Sequence, residues 1–253
     1  VSLTASRLNL DILLHVVDRS QHDRWIDKSF MSQQFMQGVI FADIDNDINI
    51  VRNVINAKMP CIVLNNILSG PMNYVAVDNK KAAAAMVNYL LQQGHRSIAT
   101  IAGDLSTQSG RDRLEGFKEA MEQHQLTLPS NFIQQGDYLR TPAREAAQKL
   151  LKLKNKPTAI FAASDVMALE ALDVARKLDL KVPQDLSVVG FDDNPFSAVS
   201  TIGLTTIAQP IMEMGRLGVE LLWQMAQGKV KLPVKEILPT KLIIRESVQP
   251  LKK

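Results

Sequence analysis

The chain has little of the chemistry that marks a catalyst, a disulfide scaffold or a membrane protein. Its 253 residues hold one cysteine, Cys61, inside the apolar run CIVL. A single thiol allows no disulfide framework and no zinc spacing, and a reducing cytosol suits it. With no histidine pattern beside it, Cys61 reads as core packing rather than a nucleophile. His15, His22, His95 and His124 share no metal-ligand spacing, and His95, directly after Gly94, reads as a turn residue. GxSxG, Walker and GxGxxG sequences are absent, so no activated nucleophile is in view and an enzyme is not expected. No apolar run is long enough to span a bilayer and no export signal is visible, which predicts a soluble product with no membrane partner. An excess of one charge is missing too, the net charge being only +3. The densest basic cluster, Lys152, Lys154 and Lys156, falls at the end of a predicted helix, where cations suit the helix dipole. Without a basic stripe interleaved with aromatics, these residues alone are not expected to grip nucleic acid.

What is present is apolar and periodic. At 46% hydrophobic, the chain can bury a sizeable core, either as one large α/β domain or as two lobes of roughly 100–150 residues each. Val1 to Leu8 reads as the tail of a helix, Leu10 to Val17 (LDILLHVV) as a buried strand, and Asp23 to Phe35 as a helix. Strands are predicted at GVIFADI (38–44), CIVLNN (61–66) and NYVAVD (73–78), with a helix around Ile48–Ala57. Lys80–Gln93 reads as a helix with Gly94 as its C-cap. Then come strand 97–102, helix 111–124, strand-like Phe132–Tyr138, helix 142–153, strand 159–163 and helix 166–178, the last capped by Ser164 or Asp165. Strands at 204–207 and 242–245 and a helix across 212–227 complete the pattern. Strand–helix alternation of this kind predicts parallel doubly wound sheets. So many units suit two sheets better than one, with no Gly/Ser-rich tether between them.

The stretch LSVVGFDDNPF (186–196) is the centre of this pattern. An apolar run ends in two carboxylates, and Asn194–Pro195 forbid strand continuation. A buried parallel strand ending in an acidic turn places Asp192 at the carboxyl edge of a sheet, where α/β folds bind ligands. Asp192 there either accepts hydrogen bonds from a ligand's hydroxyls or amides, or caps its own turn. A magnesium site built on Asp192 and Asp193 lacks an identifiable third oxygen, so no metal and no cofactor is assigned.

PTAIFAASDVMALEAL (157–172), VPQDLSVVGFDDNPF (182–196) and LTTIAQPIMEMG (204–215) together resemble the ligand-sensing core of LacI/GalR-family transcription regulators. VDN (77–79), QGHRSIATIAG (93–103), SGRDRLEGF (109–117) and LIIRES (242–247) fit the same pattern in the same order. The resemblance implies a periplasmic-binding-protein-like α/β fold, two lobes joined by three crossings, with a small sugar-like effector in the cleft between them. It sets the first lobe at 1–93 plus 211–239 and the second at 94–210 plus 240–253. It also implies a homodimer, and operator DNA bound only through a headpiece absent from these residues. The core's first strand and most of its first helix are absent as well, which predicts a chain cut at its start. A secreted sugar-binding protein of a transporter is the alternative that shares the fold, and a metal enzyme built on Asp192 and Asp193 is a third.

By the same resemblance Arg113, followed by LEGF, is the ligand arginine, its fork suited to ring oxygens, hydroxyls or a carboxylate. Tyr138 in QGDYL is an aromatic platform, against the plainer reading of a core ring. Asp78 matches a contact position or is a turn carboxylate. Ser164 stands where some sugar-sensing relatives carry asparagine, or caps a helix. Ser109 donates a hydroxyl or caps a helix, and Arg111 is a second arginine set to pair with an acid.

Overall fold

The computed structural model describes residues 1–15, 36–42, 44, 48–199 and 202–251. The described elements begin with α1 (Ser2–Arg7), β1 (Val39–Ala42), α2 (Asn49–Asn56), β2 (Cys61–Leu64) and β3 (Tyr74–Val77). They continue with α3 (Asn79–Gln92), β4 (Ile98–Ala102), α4 (Gln108–Gln123), β5 (Ile133–Gln135), α5 (Arg140–Leu151), β6 (Ala159–Ala162) and α6 (Asp165–Lys177). β7 (Ser187–Val189), α7 (Pro195–Val199), β8 (Thr206–Ala208), α8 (Ile211–Ala226), β9 (Lys235–Leu238) and β10 (Lys241–Ile243) complete the order. The chain forms two units, Val1–Val77 with Pro210–Leu238 and Asp78–Gln209 with Pro239–Lys253.

In the first unit β1, β2, β3 and β9 make an all-parallel sheet in that order. β2 and β3 are buried on both faces, as their unbroken apolar sequences require. Cys61, Val63, Tyr74 and Ala76 pack with α2 residues Ile50, Val51 and Val54, while Ile62, Leu64, Val75 and Val77 pack with Met214 and Leu221 of α8. This alternation is the period-two geometry of a strand. β9 has no sequence signal, because KEIL is an exposed edge strand with charged residues, the composition that protects sheet edges. Asn73 fixes its register, donating to Cys61 O at 3.0 Å and accepting from Val234 N at 2.9 Å.

The buried strand expected at 10–17 is corrected over its described part. Residues 11–15 are irregular, and Ile12, Leu13 and Leu14 are exposed. An apolar run becomes a strand only beside another strand, and none of the described strands pairs with it. Residues 16 and 17 and the helix expected at 23–35 lie outside the described residues.

In the second unit β4, β5, β6 and β7 form a parallel sheet in the order β5-β4-β6-β7. One face packs on α5 and α6 through Ala99, Ile101, Ile160, Ala162 and Val188, and the other on α3 and α4 through Ile98, Phe161 and Val189. From β4 the chain steps outward to β5 and then returns across β4 to β6. The order therefore reverses between β4 and β6, which is where doubly wound sheets open a ligand crevice. α3, set in the first lobe by the sequence, belongs to this unit because its alanine-rich face packs on α4. β8 and β10 add a two-stranded antiparallel ribbon. Among the described residues no helix is long and apolar enough to cross a membrane.

Candidate ligand site

The reversal between β4 and β6 puts two backbone ends together, Gly103 after β4 and Ala163 after β6. Arg113, on the second turn of α4, reaches the β6 side of this point. The N-cap of α4 is Thr107, whose hydroxyl accepts from Gly110 N at 3.1 Å, so Ser109 is not the cap. Arg113 is 3% exposed. Its Nε donates to Asn79 Oδ1 at 2.9 Å and its Nη1 to Ala163 O at 2.7 Å. Nη1 also meets Asp192 Oδ1 at 3.3 Å, and the guanidinium carbon lies 3.7 Å from the centroid of the Phe191 ring. A buried guanidinium needs such partners, and the planar fork with an aromatic face beneath it is a fixed donor array.

Asp192 sits just past β7. Its N–H donates to Ile207 O at 2.8 Å and its carbonyl accepts from Gln209 N at 3.3 Å, so the turn is stitched to β8 and its continuation. The backbone is held at φ 119°, a region a non-glycine residue rarely adopts. Strain of this kind persists only where surrounding bonds over-determine it, and it clusters at functional sites. Oδ1 accepts from Gln209 Nε2 at 2.7 Å as well as from Arg113. The side chain stays 26% exposed. Burial pushes the carboxyl above its ordinary value, against the pull of Arg113 and Gln209.

The turn behind Asp192 is braced by Asp165, which is fully buried at the first position of α6. It accepts from Thr206 Oγ1 at 2.6 Å, Ser197 Oγ at 2.5 Å and Asn194 N at 2.7 Å. Gly190 is required beside it, since a β-carbon there would overlap Asp165 Oδ1. Asp193 turns away to an ion pair with Arg245 at 2.7 Å.

Tyr138 is half-buried, at φ 61° after Asp137 at φ 53°. It lies beyond the three-residue β5 rather than inside the longer strand expected there. Its ring faces Gly103, where any β-carbon would overlap the phenol, and its centroid is 5.8 Å from the Arg113 guanidinium carbon. Ser109 is buried, with its hydroxyl 3.4 Å from Tyr138 Oη and 3.3 Å from Thr107 Oγ1.

Arg113, Asp192, Tyr138 and Ser109 are thus brought together. Asp78 and Ser164 are engaged as helix caps. Asp78 Oδ1 accepts from Lys81 N at 2.9 Å and Oδ2 pairs with Lys81 Nζ at 3.2 Å, while Ser164 accepts from Met167 N at 3.3 Å. Arg111 donates to the carbonyls of Leu105 and Ser106, shaping the 104–107 turn, rather than to an acid. His95 is a buried structural residue, its Nδ1 3.0 Å from Thr158 Oγ1. Burial pushes the Cys61 thiol up to about 11, which keeps it unreactive in the core. Among the described residues no cluster suited to a metal ion occurs. Sequence reasoning missed Asn79, Gln209 and the bracing role of Asp165. Asn79 and Gln209 sit inside stretches already singled out, VDN and LTTIAQPIMEMG, but their partners lie 34 and 17 residues away.

Residues 87–248 match a family model described as a periplasmic binding protein-like domain. The chain is 34% identical over 229 residues to the HTH-type transcriptional regulator DegA of Bacillus subtilis, covering 88% of this chain and 67% of DegA. It is 40% identical over 177 residues to the HTH-type transcriptional repressor CytR of Escherichia coli, covering 70% of this chain and 52% of CytR. The match thus spans about two thirds of the one relative and about half of the other. A solved complex of the transcriptional regulator CelR with cellobiose matches with a TM-score of 0.88 at 30% identity, over 97% of this chain and 76% of that one.

Proposed function

This chain belongs to the periplasmic binding protein-like family, among the LacI-type transcription regulators, and from that premise we propose that it senses a small, polar, sugar-like effector at the Arg113–Asp192 pair. The observation that carries the reading is the pair itself. A forked cation anchored beside the reversal point of a parallel sheet meets a strained, partly exposed carboxylate just past the neighbouring β7, with Tyr138 beside them. A sugar hydroxyl both donates and accepts, so it can bridge carboxylate and guanidinium, and an aromatic face suits the C–H side of the ring. The cellobiose bound by CelR makes a sugar the leading class. Effector binding favours one of two conformations, with a coupling of about 1–3 kcal/mol, and so alters operator binding by the whole regulator. In this reading the regulator is a cytoplasmic homodimer and contacts DNA through a helix-turn-helix outside these residues.

The test is a thermal-shift screen of sugars, sugar phosphates and nucleobases, followed by calorimetry. A hit is expected to bind saturably and to lose affinity in Asp192→Ala and in Arg113→Ala. Unchanged affinity in both variants rejects this site.

A further inference from the structure

His95 joins three parts of the second unit from within its core. It follows the Gly94 turn that ends α3 and is 1% exposed. Its Nδ1 lies 3.0 Å from Thr158 Oγ1, whose hydroxyl donates to Ser97 O at 3.1 Å, beside the starts of β4 and β6. Nε2 is sealed from water without a hydrogen-bond partner of good geometry. The segment after β10 lies against this turn: Leu251 N donates to Gln93 O at 2.8 Å, and a β-carbon on Gly94 would press on Leu251 O. The backbone of Gln249 is the one influence that favours a charged ring, and burial outweighs it.

The segment is anchored at one end and lightly held at the other. Ser247, fully buried, donates from N to Gly203 O at 3.1 Å and from Oγ to Val188 O at 2.6 Å. Its Oγ also accepts from Thr205 N at 2.8 Å, and Arg245 pairs with Asp193 at 2.7 Å. Beyond Ser247, the Leu251 bond is joined by an exposed one from Gln249 Nε2 to Gln184 O at 3.1 Å and a 3.4 Å one from Gln249 N to Ser187 Oγ. No anion stands ready for an imidazolium. Residues 82–94, 97–102, 157–163 and 247–251 carry no side chain charged at neutral pH, Tyr89 being the only titratable one. Arg96 adds a second cation, donating to Leu91 O and to His95 O itself, while Lys156 and Asp185 in the flanking loops are exposed. A buried charge without a counter-charge is costly, and water reaches the ring most cheaply from this lightly held side, since β4 and β6 are the two central strands of the sheet.

We infer that His95 is an acid-sensitive latch on the segment after β10: a proton taken up from solvent by its free ring nitrogen lifts residues 249–251 off the α3–β4 turn and leaves the segment held from Ser247 back. In the open state the ring regains its ordinary value of 6.5, above its buried one. Opening therefore takes up a proton and is favoured as pH falls below that point. It is a local event within the folded unit.

Hydrogen–deuterium exchange of the full-length protein at about pH 7 and about pH 5, corrected for the pH dependence of intrinsic exchange, reads the opening. In wild type, protection of the peptide over 245–251 should fall at least about fivefold at the lower pH while α4 keeps its protection. In His95→Gln, which keeps a neutral hydrogen-bonding side chain, it should stay level. Asp165 is common to both proteins and drops out of the comparison. Histidine NMR on wild type should give a His95 midpoint that coincides with the loss of protection. Protection that stays level in wild type, falls equally in both proteins or rises as pH falls overturns the inference. Circular dichroism checks that the variant folds. Should it not fold, the two wild-type midpoints decide, and separate midpoints overturn the latch.

Discussion

Asn79 Oδ1 accepts a 2.9 Å hydrogen bond from Nε of Arg113, tying the first residue of α3 to the second turn of α4. Both side chains are buried, Asn79 at 2% and Arg113 at 3% exposure. The bond fixes the plane of the guanidinium, and with it the direction in which Nη1 and Nη2 point. Helix packing and the orientation of the guanidinium therefore depend on one amide.

Asn79→Ala should separate these two roles. A buried Nε–H left without an acceptor costs about 1–3 kcal/mol, so the urea midpoint falls. Effector affinity should fall as well, because the fork is no longer held in one plane. Asn79→Asp restores an acceptor and should recover more of the stability than of the affinity. Urea denaturation and calorimetry on the two variants check both halves.

Asp192 Oδ1 is shared by Arg113 and Gln209, at 3.3 Å and 2.7 Å. Asp192→Ala is expected to weaken effector binding by about 10–100-fold, the worth of a charge-assisted hydrogen bond. Gln209→Ala should weaken it less, since Gln209 acts by aiming the carboxylate. The double variant should fall short of the sum by about 0.5–3 kcal/mol, the usual coupling of residues in one network. Strict additivity in a calorimetric double-mutant cycle would separate Gln209 from the site.

The core of both sheets was legible in the sequence because CIVL, YVAV and AIFA are apolar on both faces, and only a doubly covered parallel strand requires that. β9 was not, since an exposed edge strand carries no apolar pattern. The run at 10–15 misled for the opposite reason: its pattern is that of a strand, but pairing depends on neighbours that composition does not name. Asp192 and Arg113 were singled out from motif position, and the structure brings them within 3.3 Å of each other. The motif VDN drew attention to Asp78, yet it is the adjacent Asn79 that holds the arginine while Asp78 caps α3. A cap and a ligand contact use the same residue types, and only the direction of the side chain tells them apart.

Gly116, on the face of α4 that packs against α3, should not tolerate a methyl group. A β-carbon there would overlap the backbone carbonyl of Lys80, which no side-chain rotation can relieve. In an exposed helix Gly→Ala gains about 1 kcal/mol. Here overpacking, about 1–3 kcal/mol or more, should outweigh it and leave Gly116→Ala less stable by urea denaturation. A stabilised variant would mean that α3 and α4 separate easily.

Asp165 sets two effects against each other. Three donors, Thr206, Ser197 and the Asn194 N–H, favour its charged form, while complete burial disfavours it. Burial wins, and the carboxyl is pushed up to about 6. The folded chain then holds a proton that the unfolded chain has released between its ordinary value of 3.8 and about 6. The resulting stabilisation is full below that window and is lost as pH rises through about 6, a change of roughly 3 kcal/mol at most. His95 works in the other direction, because burial lowers its value from 6.5 and stability is lost as pH falls below that point. Comparing wild type with Asp165→Asn removes the histidine from the difference. Urea unfolding of both proteins at about pH 4.5 and about pH 7 should show the advantage of wild type shrinking by roughly 2 kcal/mol at the higher pH. An advantage that grows with pH would mean that the three donors outweigh desolvation and that the brace behind Asp192 carries a full negative charge.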